Sequence, residues 1–249
     1  SGICLNNEEL IRKRAVGPLS NLEPLVVDLP DSKCGIAHTR WATHGAPTVE
    51  NAHPHVSSEL DVAVVHNGII ENEVELRNFL KSDDKELEFE SETDSELVAH
   101  LLSKELKKIN SKIKNITEDQ ILSSWKNVID KLEGSYALAA VISGREDSIL
   151  FARKFAPLIL SHDGKRGLLA SDVSCVVGLS ESVFYLEEGD WGIIKDLGVK
   201  IFNIDGDTVE LKPKKLEWEL GDAELGGYPT FMLKEIYEQP RVVRDCLRG

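Results

Sequence analysis

No continuous apolar stretch in the 249-residue sequence approaches the roughly 20 residues that cross a bilayer, so no membrane-spanning helix is expected. The first residues lack the basic flank and apolar core of a secretory signal. Cysteines are few, 4 in all, and they lie far apart without Cys-x-x-Cys spacing, which argues against a zinc knuckle or a disulfide framework. A reducing, cytoplasmic setting is the simplest reading, with each thiol acting as a small buried apolar group. There is no G-x-G-x-x-G, no Walker A sequence, no G-x-S-x-G elbow and no H-E-x-x-H. No internal repeat or low-complexity segment is present. Basic residues are in deficit, 29 against 43 acidic, for a formal charge of -14. That balance opposes general binding to nucleic acid or anionic membranes.

What remains is an ordinary globular composition, 41% hydrophobic, in a chain long enough to bury a full core. One stretch stands out, from Cys34 through His38, Arg40, Trp41, Thr43, His44, Gly45 and Asn51 to His53 and His55. It starts as a short apolar run suited to a buried strand. It then becomes a donor-rich loop punctuated by Gly45, Pro47 and Pro54. A second apolar run from Asp61 ends in Asn67-Gly68, a pair that favours positive-φ backbone.

The remaining pattern predicts a strand pair at 1–5 and 9–13. A short helix follows Gly68, with Asn72 at its start and Leu76 and Leu80 facing inward. The spacing of Thr93 and Glu96 predicts a capping box opening a helix that runs to Ile109. An exposed connection over 110–119 precedes a second helix at 120–132. After Gly134 the period changes, predicting short strands at 136–142, 148–152, 157–161, 167–170, 175–178, 183–186, 191–194 and 199–204. An acidic loop containing Trp218, Gly221 and Gly226 leads to a helix over 231–247, interrupted at Gln239-Pro240 because proline lacks an amide proton. Few helices and many short strands predict layered α/β architecture with antiparallel sheets.

Several residues could carry chemistry. Arg40 offers a planar fork suited to a carboxylate, or closes a structural ion pair. Trp41 either covers a pocket or fills core, and Thr43 and His44 could contact an amino-acid head group. Asn67 and Gly68 could donate two hydrogen bonds to an oxyanion, or simply form a turn. Asp94 either caps a helix or accepts a substrate ammonium group. His53 and His55 would point to one side of an extended strand. With no carboxylate at ligand-like spacing, a metal site is disfavoured, and His38 and His66 are read as histidines bonded to buried backbone.

The runs Gly35-Ile-Ala-His-Thr-Arg-Trp-Ala-Thr-His-Gly45, Asn51-Ala-His-Pro-His55, His66-Asn-Gly68, Ser91-Glu-Thr-Asp94 and Gly134-Ser-Tyr-Ala137 resemble the glutaminase domain of glutamine–fructose-6-phosphate amidotransferase, glucosamine-6-phosphate synthase. Lys234-Glu-Ile-Tyr-Glu-Gln-Pro240 resembles that family's lead into a sugar-phosphate isomerase domain. The resemblance spans nearly the whole chain. It implies an α+β, four-layer αββα N-terminal-nucleophile hydrolase sandwich with two antiparallel sheets, its first strands missing here. It makes 1–249 one glutaminase domain, with 229–249 leading toward an absent isomerase domain.

In that family a cysteine at the start of the mature chain attacks glutamine, its α-amine serving as base, and the ammonia passes to fructose 6-phosphate for hexosamine biosynthesis. By motif match, Arg40 is expected to clamp the substrate carboxylate and Trp41 to form the channel-side lid. Thr43 and His44 are expected to contact glutamine, with His53 near the active site. Asn67 and Gly68 match the oxyanion hole and Asp94 the ammonium acceptor. No cofactor or metal is implied, and the full protein is expected to be a homo-oligomer. The family's opening Cys-Gly-Ile has no counterpart. Ser1-Gly2-Ile3 could replace it, but the spacing to Arg40 is too short, so the chain is expected to lack its nucleophile and to be inactive alone. The alternatives are the glutaminase domain of a phosphoribosylamine- or asparagine-forming amidotransferase, or a non-catalytic glutamine-binding regulatory module.

Overall fold

The computed structural model describes residues 1–41, 45–110, 112–210, 212–216 and 227–248, with backbone alone at Lys114, Arg241, Asp245, Cys246 and Arg248. Its centre is a six-stranded antiparallel sheet in the order β12-β11-β7-β6-β5-β4. These strands are β4 His55–Val56, β5 Val62–Ile70, β6 Gly134–Ile142, β7 Ser148–Lys154, β11 Trp191–Lys195 and β12 Gly198–Phe202. Alternation along β5 and β6 sends side chains to two different cores. Val62, Val64, Leu138 and Ala140 pack with the helices, whereas Ala63, Val65, Ala139 and Val141 pack with Cys4, Cys34 and Ile36 on the opposite face. Both faces are thus covered, which explains why these strands read as nearly unbroken apolar runs.

The helical face is built by α2 Glu73–Asp83, α3 Ser95–Ile109 and α4 Glu118–Ile129, α1 being the single turn Glu23–Val26. Trp125 on α4 is fully buried, and its indole N–H donates to the Phe151 carbonyl at 2.9 Å, fixing the helix to β7. On the other face lie a three-stranded sheet, β2-β1-β3, and a four-stranded sheet, β13-β10-β8-β9. Their strands are β1 Gly2–Asn6, β2 Leu10–Arg14 and β3 Gly35–His38, then β8 Ile159–His162, β9 Gly167–Ala170, β10 Ser182–Tyr185 and β13 Lys214–Lys215. The described strands therefore form three antiparallel sheets rather than the expected two.

Strands β3 and β9 are the facing edges of the two smaller sheets. A cavity of about 590 Å³ is lined by Ala37, His38 and Thr39 on one side and Leu169, Ala170 and Ser171 on the other. A second, of about 230 Å³, has Cys34 and Gly35 opposite Gly167 and Leu168. The order of these residues shows that β3 and β9 run in the same direction along one groove, whose floor includes Val65, Ala137, Ala139 and Ile149.

Several local expectations are corrected. Residues 175–178 form no strand; a 3-10 turn at Val173–Cys175 stands there, capped by the Asp172 carboxylate accepting from the Ser174 N–H at 2.8 Å. Asn67 and Gly68 lie inside β5, which continues to Ile70. Helix α4 begins at Glu118, ahead of the expected Gln120, because Thr117 and Gln120 form a capping box. The connection before it is not wholly exposed, since Ile113 and Ile116 are buried. Helix α5 runs unbroken over Phe231–Arg248 with Pro240 inside it. The acidic loop at 217–226 lies outside the described residues. Among the described residues no helix is long and apolar enough to cross a membrane.

Candidate active site

Strand β5 delivers Asn67 and Gly68 to one wall of a cavity of about 210 Å³, and the loop entering α3 delivers Asp94 to another. Gly68 has φ of 133°, and a Cβ there would stand 2.0 Å from the Ser135 carbonyl oxygen on β6. Only glycine fits both the dihedral and the approach. Asn67 turns its side chain toward β3, where the His38 Nε2 lies 2.6 Å from its Oδ1. His38 therefore meets a side chain of the site as well as the His66 backbone, the kind of partner expected of it.

Asp94 occupies the N-cap position of α3 without a side-chain cap bond. Instead its Oδ2 accepts the Ile70 N–H at 2.7 Å and its Oδ1 accepts the Ser95 hydroxyl at 3.0 Å. These bonds aim the carboxylate across the sheet edge and leave it on the cavity wall. The expected Thr93–Glu96 capping box is absent for a related reason. The buried Glu96 carboxylate reaches back to accept the N–H groups of Glu90 and Ser91 at 2.7 and 2.6 Å, and the Ser91 hydroxyl at 2.6 Å. Burial pushes its pKa upward, but hydrogen bonds from His100, Ser91 and the two backbone amides outweigh this and hold it at about 2. Glu96 thereby fixes the loop that presents Asp94.

Arg40 lines the same cavity and donates to the carbonyls of Ala46 at 3.1 Å and Gly45 at 3.4 Å. Trp41 beside it is 89% exposed, which excludes core packing and leaves its indole free to cover a ligand. The loop after Arg40 is tied to the Asp94 loop by Asn51, whose amide donates to the Glu92 carboxylate at 3.0 Å and whose Oδ1 accepts the Glu92 N–H at 2.9 Å. Arg14 secures the same loop by donating to the carbonyls of Glu50 and Ala52.

His53 is buried, accepts the His66 N–H at its Nδ1 and stacks on His38 with centroids 4.3 Å apart. His55 meets it edge-on at 4.5 Å, so the two imidazoles do share one side. Burial holds His38 and His53 below the ordinary histidine range and lowers His55 to about 3. The cluster is neutral at physiological pH.

The structure thus brings together Arg40, Trp41, His53, Asn67, Gly68 and Asp94. Thr43 and His44 lie outside the described residues. His38, Thr39, His66, Thr93 and Ser95 also line the cavity; each stands beside or close to an expected residue, with no spacing or pattern of its own to mark it as part of a site. Burial raises the thiols of Cys4 and Cys34 to about 12, so neither provides a thiolate. The Ser1 amine donates to the Ala15 carbonyl at 2.9 Å, within the β1–β2 hairpin.

The architecture resembles known enzymes. It superposes on a glutamine phosphoribosylpyrophosphate amidotransferase from B. subtilis with a TM-score of 0.63 at 24% identity, covering 83% of this chain and 43% of that one. A glutamine aminotransferase class-II domain protein from Silicibacter pomeroyi gives a TM-score of 0.54 at 16% identity, covering 81% and 90% of the two chains. The fold is that of an N-terminal-nucleophile-hydrolase-like αβ domain of the class-II glutamine amidotransferase type. Residues 38–178 match the family model of the glutamine amidotransferase domain, and the chain belongs to that family.

Glutamine–fructose-6-phosphate aminotransferases (isomerizing) are close relatives. That of Clostridium acetobutylicum is 38% identical over 99% of this chain and 39% of its own length. That of Zymomonas mobilis is 41% identical over 100% and 39%. The chain spans about two fifths of these relatives.

Proposed function

We propose that this chain is the glutaminase half of a glutamine–fructose-6-phosphate aminotransferase, binding L-glutamine and stabilising the transition state of its deamidation. One observation carries the reading: a guanidinium at Arg40, a carboxylate at Asp94 and the Asn67–Gly68 pair converge on a single cavity. Arg40 pairs with the substrate α-carboxylate and Asp94 with its α-ammonium group. The Asn67 amide and Gly68 N–H receive the carboxamide oxygen as it becomes an oxyanion. The nucleophile is a thiolate that adds to the carboxamide carbon. Collapse with protonation of the leaving nitrogen releases ammonia and leaves a thioester, which water cleaves to glutamate.

The groove between β3 and β9 supports a nucleophile borne on a further strand. Two edges running the same way accept one strand antiparallel to both, continuing the pairing of every described sheet. Such a strand would join the two smaller sheets into one, giving the two-sheet sandwich. Running against β3, it would begin beside His38 and Asn67, where the groove meets the candidate site. Its first residue would thus face the cavity.

The test is glutamine binding by calorimetry and ammonia release, with and without a synthetic peptide of alternating apolar residues that starts with cysteine. We expect binding by the chain, weakened about tenfold or more by Arg40→Lys, and ammonia release only with the cysteine-first peptide. Ammonia release by the chain alone at enzymic rates would sink the nucleophile assignment. Absence of glutamine binding would sink the reading of the cavity.

A further inference from the structure

An asparagine can serve an oxyanion only if its nitrogen, not its oxygen, faces the reacting carbonyl. The terminal amide torsion is broad and roughly two-fold, so nothing intrinsic to asparagine selects that orientation. At Asn67 the neighbour that can select it is His38. The imidazole Nε2 lies 2.6 Å from the Asn67 Oδ1, inside ordinary hydrogen-bond distance. An amide oxygen only accepts, so the proton of this bond resides on Nε2.

We infer that His38 is a positioning residue: its Nε2–H holds the Asn67 carbonyl oxygen against β3 and thereby turns the Asn67 amide N–H groups toward the cavity. This rests on the oxyanion role proposed for Asn67. Rotating the amide would set Nδ2–H against Nε2–H, donor facing donor, so the tautomer of one ring decides the polarity of the site.

The surroundings favour that tautomer and hold the ring still. The Asn67 side chain and the His66 backbone both act on the ring, the Asn67 bond more strongly. Nε2 sits at hydrogen-bond distance from Asn67, whereas the buried Nδ1 makes no bond of full hydrogen-bond geometry among the described residues. One face of the ring is stacked on His53 with an interplanar angle of 23°. His53 is itself bound to the β5 backbone through the His66 N–H at 3.3 Å. Strand β3 supplies the donor, β5 the asparagine, and His53 a wall against one face of the ring. Burial, the largest influence on His38, disfavours the imidazolium, so a single proton remains to be placed.

The direct test is the tautomer. Long-range proton–nitrogen correlation on the ¹⁵N-histidine-labelled chain should report His38 with its proton on Nε2, and Asn67→Ala should relax that preference. A proton on Nδ1, with the His66 backbone as its acceptor, would overturn the inference. The functional test uses the chain supplied with the cysteine-first peptide. His38→Phe keeps a flat ring but no donor, and should lower kcat roughly tenfold to a hundredfold with KM within about twofold. His38→Gln, which can still donate, should recover part of that loss. An unchanged kcat, or a loss confined to KM, would count against His38. Asn67→Ala run alongside separates the two levels. If it leaves kcat intact, the oxyanion reading itself fails; if it lowers kcat while His38→Phe does not, only the role of His38 fails.

Discussion

At the scale of single residues, the candidate site shows how a side chain's neighbours decide its role. Asp94 carries a carboxylate at a helix N-terminus, where capping would be its ordinary use, yet it binds the Ile70 amide instead. Gly68 illustrates the opposite constraint, because its lack of a side chain is required by the packing of β6 against it. Gly68→Ala forces a non-glycine residue to φ near 133° and drives a methyl into the Ser135 carbonyl. We expect a loss of about 3 kcal/mol in urea unfolding, since strained dihedrals alone cost on the order of 1–3 kcal/mol. A midpoint unchanged from the parent would show that β5 and β6 separate easily. Any activity lost in this variant is therefore partly structural, and Asn67 is the cleaner probe of oxyanion stabilisation.

At the scale of elements, the loop between Phe89 and α3 is organised by a single buried carboxylate. Glu96 satisfies two backbone amides and a hydroxyl, and lies 3.2 Å from His100 Nε2. Glu96→Gln removes the charge and turns an NH₂ toward groups that already donate. Leaving buried donors unsatisfied costs roughly 1–3 kcal/mol, more where a charge was involved. We expect a loss of about 2–4 kcal/mol and faster amide exchange at Glu90 and Ser91. Parent-like exchange at those amides would refute the anchoring role. The loss should also shrink in acid: the folded pKa of about 2 lies below the ordinary 4.5, so the contribution is full above pH 4.5 and fades toward pH 2.

At the scale of the whole molecule, the histidine cluster ties global stability to pH. His38, His53 and His55 lie below the ordinary 6.5, each chiefly through burial. Arg40 adds repulsion for all three, while Glu96 partly opposes the shift at His55. Above pH 6.5 both folded and unfolded chains hold these rings neutral. As pH falls below 6.5 the unfolded chain gains protons that the folded one excludes. Stability should therefore decline by about 1.4 kcal/mol per pH unit for each ring kept neutral. Urea titrations between pH 7 and pH 4.5, before Glu96 begins to protonate, would measure the slope. A flat profile would mean that the cluster accepts protons without unfolding.

Much of this molecule was written locally. The strands β5, β6, β7 and β11 follow from apolar runs, and α3 from its leucine stripe, because burial on a fixed period leaves its mark in sequence. The motifs also singled out Arg40, Asn67, Gly68 and Asp94, which the structure places around one cavity, their roles there being proposals. Partnership was not legible. That Glu96 would bind the nearby Glu90 and Ser91 amides instead of forming a capping box with Thr93 turns on the path of one loop. That Asp94 would take the Ile70 amide and that His38 would reach Asn67 depend on β3, β5 and the α3 loop lying side by side. Hydrogen bonds between residues far apart in the chain have no period to betray them; only the assembled sheets bring donor and acceptor within 3 Å.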